Sequence, residues 1–293
     1  MRPPAPSAPV VLRRHPGAAA AGAPKVLFLH GLAGTDTVWD ETARQLSPDH
    51  EVWSAGLPWR GQGVTGWGRS ADLTPWVEEA LVSVPGPVDV VVAHSMSSNV
   101  LLELLDRSGR VDGDAFSDPF SRFGIRALVL VSPFYRGTAE EFDWGTITHY
   151  LNDFHLILQE GIRAHSGGRV SAETEVAMAE RVREWIGPYG WIRFFDLFLR
   201  TPELRTARIA VPCLVIGGKH DIATPAEHAI ALAGALPDAR LRVLGRSGHF
   251  PMVDEPAAFG AELRAFLGSV LTSELTSDMA PPPVLQATLT TET

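Results

Sequence analysis

Six short apolar runs, separated by stretches of helical periodicity, limit the folds open to this chain. They are KVLFLH (25–30), EVWSA (51–55), DVVVAH (89–94), RALVLVS (126–132), CLVIGG (213–218) and ARLRVLG (239–245). Continuous Val, Leu and Ile runs of this length suit strands covered on both faces, as in a parallel sheet flanked by helices. The helical patterns between them span about 37–46, 75–84, 96–107, 225–236 and 256–270. Pro75, Pro225 and Pro256 sit where a first helical turn tolerates proline. Strand–helix alternation predicts an α/β fold built on a mostly parallel, doubly wound sheet. With 293 residues and 45% hydrophobic composition, the chain can bury a sizeable core. Collagen-like, coiled-coil and wholly disordered chains are excluded.

The alternation stops between residues 133 and 208, where only helical patterns rich in aromatics occur. Trp191, Phe194, Phe195, Phe198 and Leu199 recur at helical spacing and make one apolar face. Ile147, Tyr150, Leu151, Phe154 and Leu158 do nearly the same. The predicted layout is an N-terminal extension (1–23, loose or strand-forming), a core (24–132 and 209–271), a helical insertion (133–208) and a polar, proline-rich disordered tail (272–293). Residues 108–124 read as a long polar loop. Its Asp112, Asp114 and Asp118 lack the glycine and terminal glutamate of an EF-hand calcium loop.

The net charge of −9, with no offsetting basic cluster, argues against a nucleic-acid partner. No apolar run reaches the roughly 18–20 residues that span a bilayer. The Val10–Leu12 run is too short for a secretory signal, so the expected location is the cytoplasm. The single cysteine, Cys213, sits inside an apolar strand and reads as buried and structural. The histidines show no metal-ligand spacing, and no metal or organic cofactor is implied. Association as a homodimer is left open.

The chemistry concentrates at residues 90–105, VVVAHSMSSNVLLELL. An apolar strand turns sharply at His94–Ser95–Met96 into a helix, which pushes a serine hydroxyl out above the carboxyl edge of the sheet. Ala93 and Ser97 stand two before and two after Ser95, so the pattern is A-x-S-x-S in place of G-x-S-x-G. A helix N-cap serine is the bland alternative. A serine nucleophile needs a base, and the base an orienting carboxylate. Asp221 in GGKHDIATP and His249 in RSGHFPMVDEP each follow a strand, so a parallel sheet brings them to the edge that carries Ser95. At the end of the first run, His30–Gly31–Leu32 places backbone at that edge too. The Leu32 and Met96 N–H groups would form a two-donor oxyanion hole. His30 is expected to fix that loop, and His94 to support the turn or line the pocket. Asp143 is a weaker candidate acid, and His220 reads as structural. Asp254 and Glu255 are expected to begin the last helix.

In this order, HGLAG, AHSMSS, GGKHDIATP and SGHFPMVDEP make the chain resemble the α/β-hydrolase superfamily of esterases, lipases and haloperoxidase-like enzymes. The resemblance runs over about 24–270 and implies a helical cap above the sheet. It maps the nucleophile to Ser95, the acid to Asp221 and the base to His249. The family's aspartate after its second strand is replaced near Ala55–Gly56, and Trp59 and Arg60 interrupt that loop. The implied reaction is hydrolysis of an ester, thioester or lactone of an apolar small molecule. Carbon–carbon bond hydrolysis, cyclisation or acyl transfer by the same residues is a rival, and a ligand-binding protein without chemistry is another. His30, Gly31 and His94, with Tyr150, Phe154, Trp191 and Phe195 from the cap, are the expected substrate contacts.

Overall fold

A computed structural model describes residues 10–59, 66–108 and 119–277. Among them, seven strands form one sheet in the order β1-β3-β2-β4-β5-β6-β7. The strands are β1 (Val11–Arg14), β2 (Lys25–Leu29), β3 (Glu51–Gly56), β4 (Val90–His94), β5 (Ala127–Val131), β6 (Cys213–Gly218) and β7 (Ala239–Leu244). All neighbours pair in parallel except β1, which runs antiparallel to β3. Within the N-terminal extension, residues 11–14 form strand β1 of the sheet, the strand-forming alternative of the two expected there. Its four residues include two arginines, which suit an edge, and Arg13 reaches Asp36 at 2.6 Å. β7 is the other edge. Arg240, Arg242 and Val243 there are exposed, so this run is not buried on both faces as its apolar character suggested.

The central strands are buried along their length, as their unbroken Val/Leu composition requires. One side of the sheet carries α2 (Thr74–Ser83), α3 (Met96–Ser108) and α8 (Ala226–Ala235). The other carries α1 (Asp40–Leu46) and α10 (Pro256–Ser277). Val100, Leu101 and Leu104 of α3 are buried, each worth about 1.5–3 kcal/mol relative to exposure. The predicted helix at 37–46 divides into a tight 3₁₀ turn, Asp36–Trp39, and α1. Helix α10 continues six residues past the expected start of the tail, to Ser277. The polar loop expected over 108–124 closes with a short helix, α4 (Pro119–Phe123). Asp112, Asp114 and Asp118, Arg60, and the tail beyond 277 lie outside the described residues.

Between β5 and β6 the chain forms α5 (Trp144–Asn152), α6 (Phe154–Ser166) and α7 (Ala172–Leu199). The apolar spacing from Ile147 to Leu158 suggested one continuous face, but Asp153 separates two helices and leaves Leu151 exposed. In α7 the helical dihedrals break at Gly187, just before Pro188. A proline removes an intrahelical hydrogen bond and crowds the preceding turn. Phe194, Phe195 and Phe198 are buried beyond the break, whereas Leu199 is 41% exposed. Cys213 is buried and free, and burial pushes its thiol up to about 12. No described helix is long and apolar enough to cross a membrane.

Candidate active site

Ser95 occupies the turn from β4 into α3 with φ of 54°, a left-handed conformation rare for a residue with a Cβ. Its N–H donates across the sheet end to the Val131 carbonyl at 2.8 Å. The residues around it are small and fully buried: Ala93, Ser97 and Ser98. The serine at the second glycine position of the motif has its own work. Ser97 Oγ donates to the His30 carbonyl and accepts from Trp59 Nε1–H at 2.9 Å. Glycine could supply neither bond, so the departure from G-x-S-x-G ties the serine turn to the loop after β2.

His249 Nε2 lies 2.9 Å from Ser95 Oγ, and its Nδ1 lies 2.9 Å from Asp221 Oδ2. All three side chains are buried. Asp221 Oδ1 accepts the Ala223 and Thr224 N–H groups at 2.8 and 2.7 Å, and Oδ2 accepts Thr224 Oγ1–H at 2.6 Å. Burial alone would raise this carboxyl, but the positive charge of His249 and these hydrogen bonds hold it below its ordinary range. Burial would likewise depress His249. The Asp221 charge and hydrogen bond outweigh it, with Glu160 and Asp254 adding to them, and the imidazole is raised above its ordinary value. His94, beside it, is held well below that value by burial and by the charge of His249. A neutral His94 donates Nε2–H to the His249 carbonyl at 2.8 Å.

The loop after β2 presses against the serine. A Cβ on Gly31 would lie 2.8 Å from Ser95 Cβ and 2.9 Å from His94 Nδ1, so only glycine fits. His30 braces this loop: Nδ1–H donates to the Gly31 carbonyl at 2.8 Å and Nε2 accepts the Leu57 N–H at 2.9 Å. Leu32 follows at the cavity wall. Met96 opens α3, where the first backbone N–H groups have no partner within the helix.

Ser95, His94 and His249 open into a cavity of about 710 Å³ between the sheet edge and the 133–208 segment. Of the four aromatics expected to face substrate, only Phe154 lines it. Tyr150 instead points its hydroxyl to the Ala223 carbonyl at 2.7 Å. Trp191 donates Nε1–H to the Tyr150 carbonyl at 3.1 Å and stacks on Phe195, ring centroids 5.0 Å apart. These three pack the inserted helices against one another and against the loop after β6. Phe194, Phe134, Leu158 and Trp185 line the cavity in their place.

Asp143 caps α5 by accepting the Thr146 N–H at 2.7 Å and is not among the residues around His249. Asp254 and Glu255 brace the loop before His249, and do not simply open the last helix. Asp254 Oδ2 accepts the Gly248 N–H at 2.9 Å, and Glu255 Oε2 accepts the Arg246 N–H at 2.8 Å. His220 is exposed. Among the described residues, no group of three or more His, Cys, Asp and Glu could hold a metal ion.

Several site residues escaped the sequence reading. Thr224 carried a usable signal, since a hydroxyl three residues after an aspartate can close a turn on its carboxylate. Phe134 lies just beyond the carboxyl end of β5, where ligands bind, and its ring centroid is 6.1 Å from that of His249. Asn99 fixes that residue by pairing with both its carbonyl (2.6 Å) and its N–H (3.2 Å). Glu160, which reaches the His249 backbone, had no signal: nothing in its helix marks it as close to residue 249.

The match to the alpha/beta hydrolase family covers residues 26–262, and the chain belongs to that family. Among individual relatives, it is similar to the pimeloyl-[acyl-carrier protein] methyl ester esterase of Vibrio vulnificus, at 23% identity over 84% of this chain and 94% of the relative. The protein of that name from Nitrosomonas europaea is 25% identical over 80% and 92%. Two solved structures share the fold. A bromoperoxidase from Bacillus anthracis has TM-score 0.64 and 18% identity, over 88% of this chain and 95% of that one. An enol-lactonase from Burkholderia xenovorans LB400 has TM-score 0.58 and 18% identity, over 88% and 96%.

Proposed function

We propose that this protein is a serine carboxylic ester hydrolase that cleaves an ester, thioester or lactone of an apolar small molecule through an acyl-enzyme. The observation that carries the reading is the Ser95–His249–Asp221 hydrogen-bonded chain opening into an apolar cavity. The esterase names of the relatives support it. His249 Nε2 takes the Ser95 proton as Oγ bonds to the substrate carbonyl carbon. The carbonyl oxygen becomes an oxyanion held by the Leu32 and Met96 N–H groups; in such sites the loss of one donor costs about 10²–10³ in kcat. Collapse breaks the bond to the leaving alcohol or thiol, which takes the proton from His249. Water, deprotonated by His249, then releases the acid and restores Ser95. Asp221 holds the Nδ1–H tautomer and stabilises the imidazolium.

This reaction needs neutral His249, so kcat/KM should rise with pH. Because Asp221 raises the imidazole, the midpoint of the acid limb should lie above about 6.5, the ordinary histidine value. A pH-independent rate between about 5 and 9, with chemistry limiting, would remove the histidine base.

The cavity volume falls within the roughly 300–1,000 Å³ of small-molecule sites. Its walls of Phe134, Phe154, Leu158, Phe194 and Trp185 favour a bulky or long acyl group over acetyl. Phe194→Ala should lower kcat/KM for an octanoyl ester about tenfold more than for the acetyl ester, the loss of ~1.4 kcal/mol of apolar contact. Trp191→Ala, which removes packing away from the cavity, should lower both alike. Equal losses in Phe194→Ala would rule out the apolar acyl pocket.

A further inference from the structure

The backbone of His249 is clamped from two directions. Its carbonyl accepts Nε2–H of His94 on β4, at 2.8 Å. Its N–H donates to Oε1 of Glu160 on α6, at 2.6 Å. The first clamp belongs to the sheet, the second to the inserted helices. Glu160 does not line the substrate cavity, and its Oε2 is buried with no hydrogen-bond partner among the described residues. A buried carboxylate is costly to place, and the His249 N–H is the contact that accounts for its position. Gly248 is shaped to admit it: a Cβ there would lie 1.9 Å from Glu160 Oε1.

We propose that Glu160 is a positioning residue for His249: by accepting the backbone N–H of the base, it makes the approach of the imidazole to Ser95 depend on the seating of the cap. The inference rests on the acyl-enzyme reading above. The charged and titratable groups facing His249 are Asp221 from the loop after β6, His94 from β4, Glu160 from α6 and Asp254 from α9 (Pro251–Asp254). Glu160 therefore acts on the base in two ways, through geometry and through its negative charge.

The test is the rate at which a fluorophosphonate labels Ser95, followed against pH in wild type, E160A, E160Q, G248A and the E160A/G248A double variant. A displacement of about 1 Å at a reacting group can cost about 10²-fold, so E160A and G248A should each slow labelling by about 10–100-fold. Both remove the same bond, so the double variant should be no slower than the slower single one. E160Q offers an amide oxygen to the same N–H and should recover to within about threefold of wild type, by the rescue logic of a retained acceptor. Its acid limb should move to lower pH, because a negative charge near His249 is gone. Thermal unfolding separates these effects from loss of fold, and if E160A does not fold, E160Q and G248A decide. Wild-type rates in G248A and E160A would overturn the proposal. So would additive losses, or an E160Q variant as slow as E160A with an unmoved acid limb. A wild-type protein that does not label at all overturns the acyl-enzyme reading, which is a different result from labelling that ignores Glu160.

Discussion

Ser95→Ala should abolish covalent labelling by a fluorophosphonate and lower turnover of an activated ester by about 10³–10⁶, the range of knockouts in cooperating nucleophile–base sites. The reason is the isolation of the hydroxyl. It stands on a turn with positive φ, 2.9 Å from His249 Nε2, and neighbouring Ser97 and Ser98 are occupied with the His30 and Ala93 carbonyls. Neither can take over attack. The fold should survive, because the change removes one oxygen and relieves no packing contact. A variant that still labels would place the nucleophile elsewhere.

Asp221→Asn should lower kcat by roughly 10²–10⁴ with the fold retained. The carboxylate accepts the His249 Nδ1–H and three donors from Ala223 and Thr224. An amide can replace one oxygen but must turn its NH₂ group either to the Oδ1 position, against the Ala223 and Thr224 N–H groups, or to the Oδ2 position, against His249 Nδ1 and Thr224 Oγ1. The second choice imposes the wrong imidazole tautomer, and the first leaves two donors facing each other. The loss of negative charge also lowers the imidazole pKa, so residual activity should persist to lower pH than in wild type. Asp143→Asn is the contrasting variant. It should leave kcat unchanged and weaken only the start of α5, where Asp143 accepts the Thr146 N–H. A large kinetic loss in Asp143→Asn with none in Asp221→Asn would exchange their roles.

Much of this architecture can be read from local patterns. Strands buried on both faces need unbroken apolar runs, so β4, β5 and β6 are visible as VVVAH, ALVLV and CLVIGG. In a parallel sheet, residues that follow such runs gather at one edge. Ser95, Asp221 and His249 could therefore be named together, although 154 and 28 positions separate His249 from the other two. The two edge strands are less plainly marked. β1 has four residues and two arginines, and only its pairing with β3 makes it a strand. β7, ARLRVL, alternates Arg240 and Arg242 with apolar residues, and both arginines are exposed at the sheet edge.

Only the tertiary structure decided which side chains of the inserted helices meet the cavity. Helical periodicity defines a face, but not what the face is pressed against; the first face is split between α5 and α6 at Asp153, and the second lies wholly beyond the break at Gly187. Phe194 lines the cavity while its neighbour Phe195, about 100° round the same helix, stacks on Trp191. The same holds for the groups that steady the base. Glu160 lies 89 positions from His249 and His94 lies 155, and a hydrogen bond to a backbone group leaves no mark on residue 249 itself. Local sequence determined the strands, the sharp serine turn and the edge where the chemistry gathers, because backbone geometry and burial impose residue types there. The supports around that edge arise from distant segments meeting in three dimensions, which requires only a carboxylate or an aromatic ring at the right place in space.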